Sequence, residues 1–193
     1  MRQETIVKTY LKFEELNEEQ KKKVLDNYRG INVDFHDWHD FTLEEFKGIL
    51  EMLGFVNPEI YYRGFWSQGD GACFVGKFKM PIDKDDLKNR VKKIKEEYPF
   101  IIERTNNLFG FENLNFDKDY DENFDEIYHR GHYFHENSIY CHNEELLEFC
   151  RYFSQEIYSS LSNEYDYLTS DEAIKETILS NDYEFDIDTL KIA

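Results

Sequence analysis

The segment Gly64-Phe-Trp-Ser-Gln-Gly-Asp-Gly-Ala-Cys-Phe74 holds the residue types and spacing that most invite chemistry. Glycines at 69 and 71 flank Asp70 and permit positive φ on either side of it, as a tight turn requires. Ser67, Gln68 and Asp70 then project from a hairpin tip beside Phe65 and Trp66. One reading makes this tip a site, with Asp70 as acceptor or general base, Gln68 as hydrogen-bonding group and Trp66 as stacking surface. The other has Ser67 and Asp70 satisfying the amides of their own turn. Local chemistry alone favours the turn role. No Gly-Lys-Ser/Thr follows, so the segment is not a phosphate loop.

A second segment, His129-Arg-Gly-His-Tyr-Phe-His135, gathers three of the six histidines. On a strand, His129 and His135 share one face with Tyr133, while Arg130 and His132 share the other. Two histidines and a cation are what metal-free RNA cleavage uses. One imidazole deprotonates the 2′-hydroxyl, the other protonates the leaving oxygen, and the cation holds the phosphorane. Asp70 with His135 is an alternative acid/base pair if the two segments lie side by side. Strand alternation separates His129, His132 and His135, which argues against a metal site, and no cofactor is expected. His36 and His39, around Trp38, read as packing or surface residues.

Several elements must position these groups. Ile6 to Phe13 reads as a strand running into a first helix, capped by Asn17 and ending before Gly30. Leu16, Val24 and Tyr28 face its core. A second helix is expected from Thr42, with Glu45 completing a capping box, Phe46, Ile49, Leu50 and Leu53 as its stripe, and Gly54 beyond its end. Glu59 to Trp66 and Ala72 to Met80 flank the glycine-rich turn as a β-hairpin. Asp83 caps a third helix, striped by Leu87, Val91, Ile94 and Tyr98 and stopped by Pro99. Residues 112–126 read as a loop, and Glu126 to Cys141 as a further pair of strands. The longest helix runs from Glu144 to Asn163 on Leu146, Cys150, Phe153, Ile157 and Leu161. Thr169 with Glu172 predicts a capped short helix to Leu179, and Tyr183 to Ile187 a closing strand. The expected fold is one α+β domain over residues 1–193, an antiparallel sheet built from hairpins and packed against four to five helices.

Charge narrows the partners. The chain has 193 residues and a formal net charge of −18, with 40% apolar and 17% aromatic residues, too many for a disordered chain. Residues 1–111 hold 20 acidic and 18 basic residues, whereas residues 112–193 hold 21 and 5. Such a balance argues against a duplex-DNA binder, whose affinity rests on neutralising phosphates. It suits a basic partner, such as a nucleic-acid-handling protein. Asp117, Asp119, Asp121, Glu122 and Asp125 concentrate the acidity. Lys88, Lys92 and Lys95 are the opposite case, a candidate RNA-facing helix face. Either run is also compatible with a plain solvated surface.

No apolar run approaches the ~18 residues of a membrane span, and Met1-Arg2-Gln3-Glu4 does not lead into a signal peptide. Cys73, Cys141 and Cys150 are odd in number and lack Cys-x-x-Cys spacing, as expected of reduced cytosolic thiols.

The stretch Ile60-Tyr-Tyr-Arg-Gly-Phe-Trp-Ser-Gln-Gly-Asp-Gly-Ala-Cys-Phe-Val-Gly76 resembles the hallmark of a family of small phage, prophage and plasmid proteins, mostly uncharacterised and sometimes labelled antitoxin-like. Leu11-Lys-Phe-Glu-Glu-Leu16, Gly131-His-Tyr-Phe-His135 and Leu161 to Phe185 are similar to it as well. The family pattern places an arginine directly before the tyrosine of the middle motif, where this chain has His132 and only a nearby Arg130. The resemblance implies a context: mobile elements, where small acidic proteins disarm host defences, including CRISPR nucleases. The expectation is a cytoplasmic antagonist that binds a host defence or CRISPR effector, through an acidic surface. Two alternatives stand beside it. One is a metal-independent ribonuclease trimming guide RNA with Asp70, His129 and His135. The other is an antitoxin-like binding partner.

Overall fold

Apolar residues at helical spacing decide most of the architecture. The computed structural model describes residues 8–35, 37–79, 81, 83–99, 111, 114, 125–128 and 144–193. In chain order the elements are β1 (Tyr10–Lys12), a 3-10 turn (Phe13–Glu15), α1 (Glu18–Asn27), α2 (Asp40–Leu53), β2 (Phe55–Arg63), β3 (Gly71–Phe78), α3 (Lys84–Glu97), β4 (Asp125–Tyr128), α4 (Glu144–Leu168), α5 (Asp171–Ser180) and β5 (Glu184–Asp186). The α+β class holds, with five α-helices among the described residues. The strands form two small antiparallel sheets rather than one, β1-β5 and β2-β3-β4.

The described residues pack as two compact units, one from residues 39–162 and the other from both ends of the chain, residues up to Trp38 and from Asn163 onward. The long helix α4 contributes to both.

In the unit of residues 39–162, the expected stripes are the buried ones. Phe46, Ile49, Leu50 and Leu53 of α2, Leu87, Val91 and Ile94 of α3, and Leu146, Cys150, Phe153, Ile157 and Leu161 of α4 share one core with Phe55, Phe74 and Phe78 of the sheet. Phe74 meets Phe55 and Phe153 edge to face, at 5.2 and 6.0 Å between ring centres. Burying each such ring contributes on the order of 1.5–3 kcal/mol, and edge-to-face pairing adds to that. Gly54 ends α2 in the left-handed region, φ 109°, and Arg90 closes that end. Its guanidinium donates to the Leu53 and Lys79 carbonyls at 2.9 and 3.2 Å and pairs with Asp86 at 2.8 Å. Asp83 caps α3 as expected, accepting from the amides of Asp85 and Asp86. Cys73 and Cys150 are buried free thiols.

Helix α2 begins at Asp40 rather than Thr42, so Thr42 lies within the helix and is not its cap. The His39 carbonyl accepts from the Leu43 amide, and the His39 ring packs edge-on to Tyr62 at 5.1 Å. Packing at His39 therefore sets the start, overriding the local Thr-x-x-Glu signal.

In the unit built from the chain ends, Phe13, Leu16, Val24, Ile174, Ile178, Phe185 and Leu190 form the core. Asn17 caps α1 as expected, its side chain accepting from the Gln20 amide while Gln20 reaches back to the Asn17 amide. β1 and β5 pair antiparallel with Leu11 opposite Phe185. The cap of α5 is Ser170, whose hydroxyl accepts from the Ala173 amide. Thr169 instead donates its hydroxyl back to the Tyr165 carbonyl at 2.8 Å, finishing α4. That helix outlasts its expected end at Asn163 because Tyr165 continues the Leu161 row and packs against Trp38 at 5.6 Å.

Candidate functional site

The β2-β3 hairpin places the distinctive segment. Its register runs from Phe55 opposite Phe78 to Arg63 opposite Gly71, with an irregularity between Val56 and Glu59. Beyond Arg63 the chain turns through residues 64–70, and Asp70 organises that turn. Its Oδ2 accepts from the amides of Trp66 and Ser67 at 2.8 and 2.6 Å, while its own amide donates to the Ser67 carbonyl at 3.0 Å. Of the two roles open to Asp70, the turn-satisfying one is observed.

The glycine requirement falls elsewhere than the sequence suggests. Gly64 and Gly69 take positive φ, 51° and 109°, whereas Gly71 does not. A Cβ at Gly64 would sit 2.6 Å from Asp70 Oδ2, while one at Gly71 would meet nothing within 4 Å. Gly64 and Asp70 are thus a fitted pair, and Gly71 simply opens β3.

Aromatic side chains fix the tip to its own unit. Phe65 stacks on Tyr62 with ring centres 5.8 Å apart and lies 5.7 Å from Tyr158 of α4. Trp66 meets the edge of Phe65 at 6.3 Å yet stays 73% exposed. Ser67 and Gln68 are exposed. Burial pushes the Tyr158 hydroxyl pKa up, and the negative charge of Asp70 adds to that shift. The Tyr62 hydroxyl is raised by burial first and by Asp40 second. The arrangement presents one indole on a braced turn, suited to stacking or to insertion in a partner's pocket. Phe65 was placed beside the tip from sequence, whereas Tyr62 and Tyr158 were not singled out as its braces. The one available signal was Tyr61-Tyr-Arg-Gly-Phe-Trp66, where an Arg-Gly pair between aromatic pairs marks a forced turn.

The other expected site residues separate into two groups. His129, Arg130, His132 and His135, with Asp117, Asp119, Asp121 and Glu122, lie outside the described residues, as does Cys141. Asp125 opens β4, opposite Phe78 of β3. On α3, Lys88 and Lys92 are exposed and one turn apart, and Lys95 is half-buried. Lys92 pairs with Glu96 at 3.9 Å, and exposed Asp85, Glu96 and Glu97 share the helix. Arg90 is turned inward, so the basic run is a mixed face rather than a uniform one.

A charged surface that sequence reading placed only coarsely emerges on the unit of the chain ends. Five cations there are held in ion pairs: Lys8 with Asp186, Lys12 with Asp182, Lys21 with Glu18, Lys23 with Glu19, and Arg29 with Asp26 and Asp171. Asp166, Glu172, Glu176, Glu184 and Asp188 are exposed. Among the described residues no helix is long and apolar enough to cross a membrane, and no cluster of three His, Cys, Asp or Glu could hold a metal ion.

No curated protein and no solved structure matches the chain. One family model does, over residues 38–171, a span that takes in the hairpin and α2 to α4. The chain belongs to this family, DUF8835, described as a domain of unknown function.

Proposed function

We propose that this protein antagonises a host defence nuclease of the CRISPR type, laying an acidic surface against the basic groove in which the nuclease holds nucleic acid. It would be the product of a phage, prophage or plasmid gene, acting in the host cytoplasm. The observation that carries the reading is the charge of residues 112–193, 21 acidic against 5 basic. Exposed Asp166, Glu172, Glu176, Glu184 and Asp188 support it, in a unit where Lys12 and Arg29 are already held by Asp182, Asp26 and Asp171. A groove built to neutralise phosphates attracts any surface of matching negative charge, and complementarity of that kind sets on-rate and partner choice. The ribonuclease alternative has less support: Asp70, its one described member, already holds two turn amides.

The test is binding to guide-loaded CRISPR nuclease complexes across a salt series. Affinity is expected to fall at least about tenfold between low and high salt, as screening weakens exposed charge pairs. Reversing the charges across Asp117–Glu126 should weaken binding by a similar factor. Salt-independent binding, or unchanged affinity after charge reversal, would overturn the reading.

A further inference from the structure

In the unit of the chain ends, an open cavity of ≈ 320 Å³ lies between the last turn of α4 and one side of α5, from Ala173 to Asn181. Tyr167 and Leu168 come from the last turn of α4, Glu176 and Thr177 from α5, Asn181 from the cap of α5, and Asn32 from the loop after α1. We infer that this cavity receives an arginine side chain of a protein partner.

The walls are fixed by their own hydrogen bonds. Thr177 donates its hydroxyl to Asn32 Oδ1 at 2.7 Å, Asn32 Nδ2 donates to the Leu168 carbonyl at 2.9 Å, and Asn181 Nδ2 donates to the Thr177 carbonyl at 2.8 Å. A site so braced loses little on binding. Its volume stands at the lower end of the ~300–1,000 Å³ typical of ligand pockets, which suits a single side chain.

Three features ask for a cation. Helix C-termini carry partial negative charge, and neither α4 nor α5 has a basic residue in its last turn. Glu176 adds a full negative charge to the wall, and Glu172 stands one turn before it on α5. Tyr167 supplies an aromatic ring that is 56% exposed. Arg29, which donates to the Thr169 carbonyl just past α4, is already held by Asp26 and Asp171. Lys175 is the single basic residue of α5. A guanidinium can stack on the tyrosine ring and pair in-plane with the carboxylate at once, which an ammonium cannot.

The inference rests on the proposed function for the identity of the partner, and on the cavity alone for its chemistry. It is tested with the full-length chain, ¹⁵N-labelled and titrated with capped hexa-arginine or hexa-lysine peptides. Hexa-arginine should produce saturable shifts at Asn32, Tyr167, Thr177 and Asn181, with hexa-lysine binding several-fold more weakly. Tyr167→Ala and Glu176→Gln should each weaken binding by about two- to fivefold. Tyr167→Phe, which keeps the ring, and Glu145→Gln, which removes an exposed charge on the other unit, should leave it unchanged. Shifts scattered over the surface, or equal losses in every charge variant, would overturn the cavity as a site. Cavity binding by hexa-arginine without binding to any nuclease complex would uphold the cavity and reject the proposed function. Nuclease binding indifferent to Tyr167→Ala and Glu176→Gln would do the reverse.

Discussion

In the unit that carries the hairpin, the distinctive carboxylate is turned inward: Asp70 accepts from two turn amides, and its charge bears on the hydroxyl of the half-buried Tyr158. In the unit built from the chain ends, carboxylates outnumber the cations that pair with them, and several remain exposed on α5 and β5. The first unit rests on a phenylalanine-rich core, the second on a smaller core belted by ion pairs. The comparison separates two uses of the same chemical group. One carboxylate shapes a turn that displays a tryptophan, while the others give a surface its electrostatic character.

The largest expected effects come from the cores. Phe74→Ala should cost about 3–5 kcal/mol, and Phe185→Ala a similar amount, read from denaturant unfolding. A loss below about 1 kcal/mol at either position would mean that the unit does not depend on that ring.

The next effect separates the two kinds of carboxylate. Asp70→Ala should cost about 1.5–3 kcal/mol, because two amides lose an ionised acceptor, and should raise amide exchange at Trp66 and Ser67. Glu172→Ala should stay within about 0.5 kcal/mol. Equal effects would erase the distinction.

Ser170→Ala should cost about 1 kcal/mol, as expected for loss of an N-cap, with thermal unfolding as the readout. If Thr169→Ala proved the more damaging, the assignment of the cap to Ser170 would be wrong.

The smallest effect concerns acid. The Thr189 amide holds the Asp186 carboxyl below the usual carboxylate range; burial opposes this, while Lys8 and the Asp188 amide add to it. A depressed folded pKa stabilises above the unfolded value and is lost as pH falls through the folded one. Unfolding midpoints taken from about pH 5 to about pH 2 should therefore drop less steeply in Asp186→Asn than in the natural chain. Parallel curves would show that Asp186 has no such role.

Much of this was legible from spacing. The stripes of α2, α3 and α4 needed only helical periodicity, because each helix buries one face against a common core. The hairpin was marked by strand-like runs around a glycine-rich turn. What failed did so for tertiary reasons. Thr42 and Thr169 carry good capping sequences, yet packing at His39 starts α2 at Asp40, and the back-bond of Thr169 to Tyr165 leaves the cap of α5 to Ser170. Gly71 looked necessary beside Asp70, while the steric demand came from across the turn, at Gly64. The joining of β1 to β5 depends on contacts between the chain ends, which no local window contains. At the site, the composition of the hairpin pointed to Asp70 and Trp66 without showing that Asp70 faces inward, because hydrogen-bond direction is set by the turn's three-dimensional path.

The most direct test of the central claim is target-DNA cleavage by guide-loaded CRISPR nuclease complexes with this protein titrated in. The account predicts inhibition that competes with target DNA, weakens as salt is raised, and disappears when the acidic surface is charge-reversed. Full cleavage at saturating protein, or inhibition accompanied by degradation of the guide RNA, would contradict it.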